Sequence, residues 1–435
     1  MFPMRKCFLA CLLASVACVL APFAPAQSAA PQKRTLVRVG HLLDVRTGKL
    51  ADNQTIVVVG DAIQSVAPSS SVPTQPGDNV VDLGSMTAMP GMIDVHTHLT
   101  MNPDFDPYLE LTSTSAKEAI NGVVNARTTL MAGFTSVRNV GANGFVDVDL
   151  RDAVNAGQVP GPHMLVSGPL IGITGGHCDE NLLPIQYHLQ GDGVADGIAA
   201  VQHKVRENIK YGADLIKICA TGGVLSKGDD PQASQFTLEE MQAIVADAHR
   251  LGRKVAAHAH GAQGILWATE AGVDSIEHGS YINDEDIAAM KQRGTYLVPT
   301  LYLEDWMIQS GHLPPFYQQK MIDVSKVAKA NIKRAMQAGV KIALGTDAAV
   351  YPHGLNAHEL DVYVNQLGMS PLAALQTTTI NAADLMGWSA KTGTIEPGKW
   401  ADIIAVDSNP IDDVRVLQNV KFVMKGGVVY KDVKE

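Results

Sequence analysis

The stretch MIDVHTHL, residues 92–99, indicates the fold of this chain more directly than any other segment. It is an apolar, strand-like run that ends in two histidines, His96 and His98. Side chains two residues apart on a strand point to the same side, so both imidazoles can contact one metal ion. The run is therefore a candidate barrel strand with functional groups at its carboxyl end.

Seven further apolar runs follow, and segments with helical patterning separate them. They are GFTSVRNVG (133–141), MLVSGPLIGI (164–173), DLIKICATGG (214–223), RKVAAHAHG (253–261), VDSIEHGS (273–280), TYLVPTL (295–301) and KIALGTDA (341–348). Helix starts are predicted at Thr237, with Glu240 three residues on, and at Ser370, before Pro371. This alternation predicts an α/β fold, a (β/α)₈ TIM-like barrel over residues 89–392. A doubly wound sheet is the alternative, but no glycine-rich nucleotide loop follows the first run.

The two ends of the chain are also strand-like. LVRVGHLLDV (36–45) and QTIVVVGDAIQSVAP (54–68) lie at one end, and GTIEPGKWADIIAVD (393–407) and KFVMKGGVVYKD (421–432) at the other. Neither end is long enough to build its own core. Residues 28–88 and 393–435 are therefore expected to pair into one small β-sandwich domain.

Residues 1–27 have the features of a secretory signal peptide. Arg5 and Lys6 precede an apolar stretch, and small residues surround Ala26. The mature protein is thus expected to be exported, periplasmic or secreted, with no membrane anchor after cleavage. A lipoprotein attached through Cys18 is the alternative, although Ser15 stands where such sites usually carry leucine.

Composition narrows the class of protein. With 435 residues and 46% hydrophobic content, the chain can bury a large core. Loss of Arg5 and Lys6 with the leader changes the net charge from −10 to −12, which argues against a nucleic-acid partner. Only Cys178 and Cys219 follow the leader, and both are expected to be buried free thiols rather than a disulfide or metal ligands.

Candidate metal ligands stand late in the apolar runs, where the strands of a barrel present functional groups at one face. Nitrogen and carboxylate ligands suit zinc, the expected ion, and also manganese, iron or cobalt. The candidates are His96, His98, Lys217, His258, His278 and Asp347.

Lys217 is the discriminating member of this set. Two dications would repel a charged ammonium, so the amine should deprotonate. A neutral amine can add carbon dioxide and form a carbamate that bridges two metals. A surface lysine is the other possibility, but the surrounding LIKI is apolar.

In this order, DVHTH, LIKI, AHAHG, SIEHG and LGTDA resemble the metal-dependent amidohydrolase superfamily over nearly the whole mature chain. NAADLMG followed by GTIEPGKWADIIAVD is similar to that family's closing segment. Within the superfamily, the chain most resembles the branch of Xaa-Pro dipeptidase-like carboxypeptidases and ochratoxin-hydrolysing amidohydrolases.

The resemblance implies two divalent metal ions, most simply Zn²⁺, and a large homo-oligomer such as an octamer. Asp347 would orient the attacking water, take its proton and pass it to the leaving amine. The implied ligands are His96, His98 and Asp347 for the more buried ion, His258 and His278 for the more exposed one, and N6-carboxylated Lys217 between them.

The resemblance also implies a small amide or dipeptide substrate, with His177 and His260 facing it. Arg138 is a candidate for a substrate carboxylate, although relatives often carry Arg-Asp where this chain has Arg138 and Asn139. Glu277 is expected to point out of the barrel and pack against a helix. Three more histidines follow the last strands and could touch substrate: His312, His353 and His358.

The favoured function is an exported binuclear amidohydrolase that cleaves the amide of a carboxyl-terminal amino acid, as in dipeptides or N-acyl amino acids such as ochratoxin A. A one-metal cyclic-amide hydrolase or deaminase, similar to imidazolonepropionase, is the first alternative; such relatives generally lack the carbamylated lysine. A non-enzymatic ligand- or metal-binding barrel is the second. The intact ligand set with Asp347 argues against it.

Overall fold

The structure is a computed structural model that describes residues 33–103, 111–311, 313 and 315–433. The predicted signal peptide and His312 lie outside these residues. In the described part of the chain, no helix combines the length and apolar character needed to cross a membrane.

Strands from both ends of the chain share one sheet. Its strands are β1 (Arg34–Asp44), β2 (Lys49–Val59), β3 (Ala62–Pro68), β4 (Asn79–Asp82), β5 (Thr87–Pro90), β13 (Ile403–Val406), β14 (Phe422–Lys425) and β15 (Val428–Asp432). Their order is β15-β14-β13-β5-β1-β2-β3, with β4 beside β1. Gly426 and Gly427 turn the last hairpin at φ 53° and 75°, values that glycine adopts without strain. The sandwich arrangement and the boundaries at residues 88 and 392 remain predictions.

Seven of the eight predicted runs form parallel strands within the described residues. They are β6 (Met92–Thr97), β7 (Phe134–Asn139), β8 (His163–Val166), β9 (Leu215–Cys219), β10 (Lys254–Ala259), β11 (Ser275–His278) and β12 (Tyr296–Val298). Two parallel sheets result, ordered β6-β7-β8 and β12-β11-β10-β9. The carboxyl ends of these strands carry His96, Lys217, His258 and His278.

Backbone contacts join the two parallel sheets at both edges. On one side, Ile171 bridges Ile218 and the Asp214 amide donates to the Val166 carbonyl at 2.7 Å. On the other side lies the eighth run, which forms no assigned strand. Ile342 bridges Leu297, the Val95 amide donates to Leu344 at 2.9 Å, and the Asp347 amide donates to His96 at 2.8 Å. The eighth run thereby places Asp347 beside the first strand.

Helices alternate with the parallel strands. They span Ser115–Met131, Val146–Asn155, Ile198–Lys210, Leu238–Arg250, Ala262–Ala271, Asp284–Arg293, Tyr302–Ser310, Pro315–Gln337, His358–Asp361, Pro371–Thr377 and Ile380–Leu385. Short 3₁₀ turns lie at Ser69–Ser71, Ile185–Tyr187 and Val414–Asn419, and a π-helical turn at Val362–Gln366. Both predicted helix starts are confirmed: Thr237 and Glu240 form a capping box, and Ser370 caps the helix that begins at Pro371.

Candidate active site

A cavity of about 380 Å³ lies at the carboxyl ends of the parallel strands. All six candidate ligands line it, together with His177 and His260. Residues that are far apart in sequence meet here because parallel strands present their carboxyl ends at the same side.

The candidate ligand atoms lie close enough to share metal ions. The Nε2 atoms of His96 and His98 are 3.4 and 3.3 Å from Asp347 Oδ1. The ligand atoms of His96, His278 and Asp347 all lie within 4.8 Å of one another, and so do those of His258, His260 and His278. His96 Nε2 is buried and has no hydrogen-bond partner among the described residues. A dense set of nitrogen and oxygen donors with an unpartnered imidazole nitrogen fits a divalent metal. His260, predicted to face substrate, joins one of these groups.

Three of the four candidate-ligand histidines form a hydrogen bond through Nδ1. This contact orients the ring and leaves Nε2 free to bind a metal. His258 differs, because its Nε2 lies 3.2 Å from the Gly222 carbonyl oxygen. The three pairs are His96 with Glu277 at 2.8 Å, His278 with Thr300 at 2.7 Å, and His98 with the Gly141 carbonyl at 3.1 Å.

The backbone is strained at this cavity. His278, Thr300 and Asp347 have φ values of 70°, 52° and 59°, in the left-handed region that residues with a β-carbon rarely adopt. Each such residue costs about 1–3 kcal/mol of folding free energy. The left-handed conformation turns the His278 and Asp347 side chains over the ends of their segments and toward the other ligands.

Lys217 is almost completely buried, with 1% of its surface exposed. Burial lowers the pKa of its amine to about 8, even though the charges of Glu277 and Asp347 act in the opposite direction. At pH 7 such an amine is neutral in about one molecule in ten, against about one in three thousand for an ordinary lysine. The neutral form needed for carbamate formation is therefore far more accessible than in an ordinary lysine.

Three other polar groups of the cavity, Asp347, His177 and His260, differ in charge at neutral pH. Burial alone would raise the pKa of Asp347, but His96 and His98 hold it well below its usual range. The group is therefore a carboxylate at neutral pH. Burial also lowers the pKa of His177 to about 4 and that of His260 to about 3. Both imidazoles are neutral near pH 7 and can each donate one hydrogen bond.

The structure contradicts the predictions for Arg138 and Glu277. Arg138 is 2% exposed and is not among the described residues that line the cavity, so it is not placed to meet a substrate carboxylate. Its guanidinium donates to Glu277 at 2.7 Å, to the Ser275 hydroxyl at 3.0 Å and to the Val95 carbonyl. Glu277 points inward, between Arg138 and His96. These two residues form a buried ion pair that supports a candidate ligand.

Replacing Glu277 with glutamine is expected to destabilise the protein by about 3–5 kcal/mol, because it leaves the Arg138 charge buried and unpaired. Weaker support of His96 should also lower metal affinity by roughly 10–100-fold. Thermal unfolding and metal content after dialysis against a chelator would measure both effects. The exposed Glu285, changed to glutamine, is the control. Equal metal retention and equal Tm in the two variants would contradict a supporting role for Glu277.

The prediction of free thiols is also wrong, because Cys178 and Cys219 form a disulfide. They are 41 residues apart in sequence, but the segment after β8 folds back over β9 and brings their Cα atoms to 6.1 Å. The bond ties the residue after His177 to the strand that carries Lys217. It therefore fixes the His177 segment next to the candidate ligands.

Changing Cys178 and Cys219 together to alanine is expected to lower stability by about 2–4 kcal/mol, since a cross-link of this span restricts the unfolded chain. Thiol titration of the denatured, unreduced mature protein should find no free cysteine. Titration of two thiols would contradict the disulfide, and treatment with a reductant provides the positive control.

Sequence analysis did not single out two glycines that make room for the imidazoles. A β-carbon at Gly345 would lie 2.6 Å from His96 Cβ, and one at Gly223 would lie 2.1 Å from His177 Nδ1. Both distances are too short for any side chain. The glycines in LGTDA and TGG were the available signal, and they mark places where backbone and ring must approach closely.

Comparison with known proteins finds similarity to amidohydrolases in both sequence and structure. The sequence model of the amidohydrolase family matches residues 87–430. Ochratoxinase from Aspergillus niger is 34% identical over 432 residues, covering 92% of this chain and 87% of the relative. A crystal structure of a Xaa-Pro dipeptidase with bound methionine in the active site matches with a TM-score of 0.87 and 37% identity, covering 92% of this chain and all of that one. A crystal structure of a prolidase complexed with N-methylphosphonate-L-proline matches with a TM-score of 0.84 and 30% identity. It also covers 92% of this chain and all of that one.

Proposed function

The chain belongs to the amidohydrolase family and is a hydrolase of amide or peptide bonds, and from this premise we propose that a two-metal centre releases a carboxyl-terminal amino acid from a dipeptide or N-acyl amino acid. The observation that carries the proposal is the burial of Lys217 in the same cavity as the four candidate-ligand histidines and Asp347. Relatives named for ochratoxin and for Xaa-Pro dipeptides support a small amide substrate.

We infer that the two parallel sheets and the eighth run close into a (β/α)₈ barrel. The backbone contacts at both sheet edges and the structural neighbours support this inference. The sheet built from both chain ends would then form the accompanying β-sandwich.

The proposed centre holds two ions, with zinc as the expected metal. One ion would be bound by His96, His98 and Asp347, and the other by His258 and His278. N6-carboxylated Lys217 would contribute to the binding of both ions. When bound, the ions would polarise the scissile carbonyl and acidify the attacking water.

The protein's own groups would direct the chemistry. Asp347, ionised and held by its strained backbone, would orient the water, accept its proton and return that proton to the leaving amine. His177 and His260, neutral and cavity-lining, would donate hydrogen bonds to the carbonyl or the terminal carboxylate of the substrate. The buried pair of Arg138 and Glu277 would keep His96 in place.

We also propose that the mature protein is exported, periplasmic or secreted, and that it is a homo-oligomer such as an octamer. The features of residues 1–27 support export, and the resemblance to the dipeptidase branch supports the oligomer. Amino-terminal sequencing of the secreted protein and light scattering would measure these two properties.

The function is tested with a panel of dipeptides, N-acyl amino acids and ochratoxin A, using protein whose metal content is measured in the same sample. Release of a free carboxyl-terminal amino acid from at least one class, at about two metals per chain, is the expected result. Protein that carries two metals and hydrolyses no panel member would overturn the substrate assignment.

A further inference from the structure

Three glutamates line the cavity among the described residues and have no part in the proposed chemistry: Glu118, Glu180 and Glu304. Glu304, on the helix Tyr302–Ser310, lines the cavity and is 4% exposed. Its Oε2 has no hydrogen-bond partner among the described residues. A buried acceptor without a donor is unfavourable, so this carboxyl group is suited to accept a hydrogen bond from a ligand.

The charge of the nearby Lys329 only partly offsets the effect of burial on the pKa of Glu304. Lys329 is the nearby basic residue, and its ammonium is hydrogen-bonded to Asp305, the next residue on the helix. Burial raises the pKa of Glu304 to about 8, and the negative charges of Asp305 and Glu359 act in the same direction while Lys329 opposes them. A cation bound beside this carboxyl would favour its ionised form.

Apolar side chains also line the cavity. Leu303 is its neighbour on the helix, and Met321 and Val324 line the cavity from the helix Pro315–Gln337. An apolar wall with a carboxyl group suits a side chain that has a methylene stem and a cationic tip. Burial of the stem and a charge-assisted hydrogen bond at the tip would both favour binding.

We propose that Glu304 is a specificity-determining residue that selects substrates in which one residue flanking the scissile amide carries an alkylammonium or guanidinium side chain. The proposal rests on the proposed function and names its substrate class. Glu304 pairs with the cation of the bound substrate and does not act on the reacting bond. Its removal should therefore change substrate choice and leave the chemical step for neutral substrates intact.

The test uses metal-loaded protein and two pairs of dipeptides that differ in charge: Ala-Lys with Ala-norleucine, and Lys-Ala with norleucine-Ala. The wild type should prefer the cationic member of one pair by about 10–100-fold in kcat/KM, the range for a hydrogen bond to a charged group. The pair that shows the preference identifies the side of the amide that Glu304 recognises. Glu304→Gln should abolish the preference and change kcat/KM for norleucine substrates by less than about threefold.

Asp323→Asn is the matched control, because it removes a carboxylate from the exposed side of the Pro315–Gln337 helix. It should keep the wild-type preference. Inhibition of the wild type by free L-lysine or L-arginine, compared with L-norleucine, is a second measurement that needs no variant. Stronger inhibition by the cationic amino acids supports a cation subsite on the carboxyl-terminal side of the amide.

Equal kcat/KM for both members of each pair in the wild type would overturn the role of Glu304 while the proposed function stands. An equal decrease in kcat/KM for cationic and neutral substrates in Glu304→Gln would also overturn the role of Glu304 and leave the proposed function standing. Hydrolysis of none of the four dipeptides, nor of any other panel member, would overturn the proposed function itself, and the substrate class with it.

Discussion

Replacing Asp347 with asparagine is expected to lower kcat by about 10²–10⁴-fold, the usual contribution of a positioned acid-base group. Asparagine has nearly the same shape as aspartate, but its amide cannot accept the proton of the attacking water. Steady-state kinetics and metal content, measured on the same preparation, separate lost proton transfer from lost metal binding.

Asp323→Asn makes the same chemical change at the surface and should retain the wild-type kcat. An Asp347→Asn variant with wild-type kcat and full metal content would remove Asp347 from proton transfer.

Lys217→Ala is expected to lower kcat/KM by more than about 10²-fold and to reduce the bound metal from about two ions per chain to one or fewer. Alanine leaves neither an amine nor a carbamate between the two ligand groups. In the wild type, labelled bicarbonate should give a carbamate signal by ¹³C NMR, and this signal should be absent from the variant.

Lys210→Ala, at an exposed helix position, is the control and should keep both metals and the NMR signal. Full activity of Lys217→Ala with about one metal per chain would instead favour the one-metal cyclic-amide hydrolase or deaminase.

The sequence predicts the candidate ligands of the cavity because they are polar groups in otherwise apolar runs. A lysine within LIKI, or histidines at the end of RKVAAHAHG, cannot be explained by exposure to solvent. Parallel strands then bring the ends of the runs together without further information. Helix starts such as Thr237 are equally local, since a capping box involves residues three positions apart.

The direction of Glu277 could not be predicted in the same way. Strict alternation along a strand assumes extended backbone at every position, and His278 instead adopts a left-handed conformation. Glu277 and Ser275 therefore face the buried Arg138, while His278 turns toward the cavity. The mistaken role of Arg138 has a different origin, because its buried partner is 139 positions away in sequence.

The disulfide and Glu304 depend on how long connecting segments fold. Cys178 lies in the segment after β8, and no local pattern indicates that this segment returns to Cys219. Glu304 looks like an ordinary surface acid of an amphipathic helix until the cavity beside it is known. Such features depend on tertiary packing and leave no periodic signal in the sequence.

The left-handed backbone at His278, Thr300 and Asp347 has a consequence for directed evolution. A screen for heat-tolerant variants that measures only folding stability would select glycine at these positions. Glycine relieves the unfavourable dihedral angles. Each such gain would delete a candidate ligand or the threonine that orients one. Gains in folding stability at these three positions should therefore come with the largest losses in kcat. A selection scheme needs to measure both stability and activity.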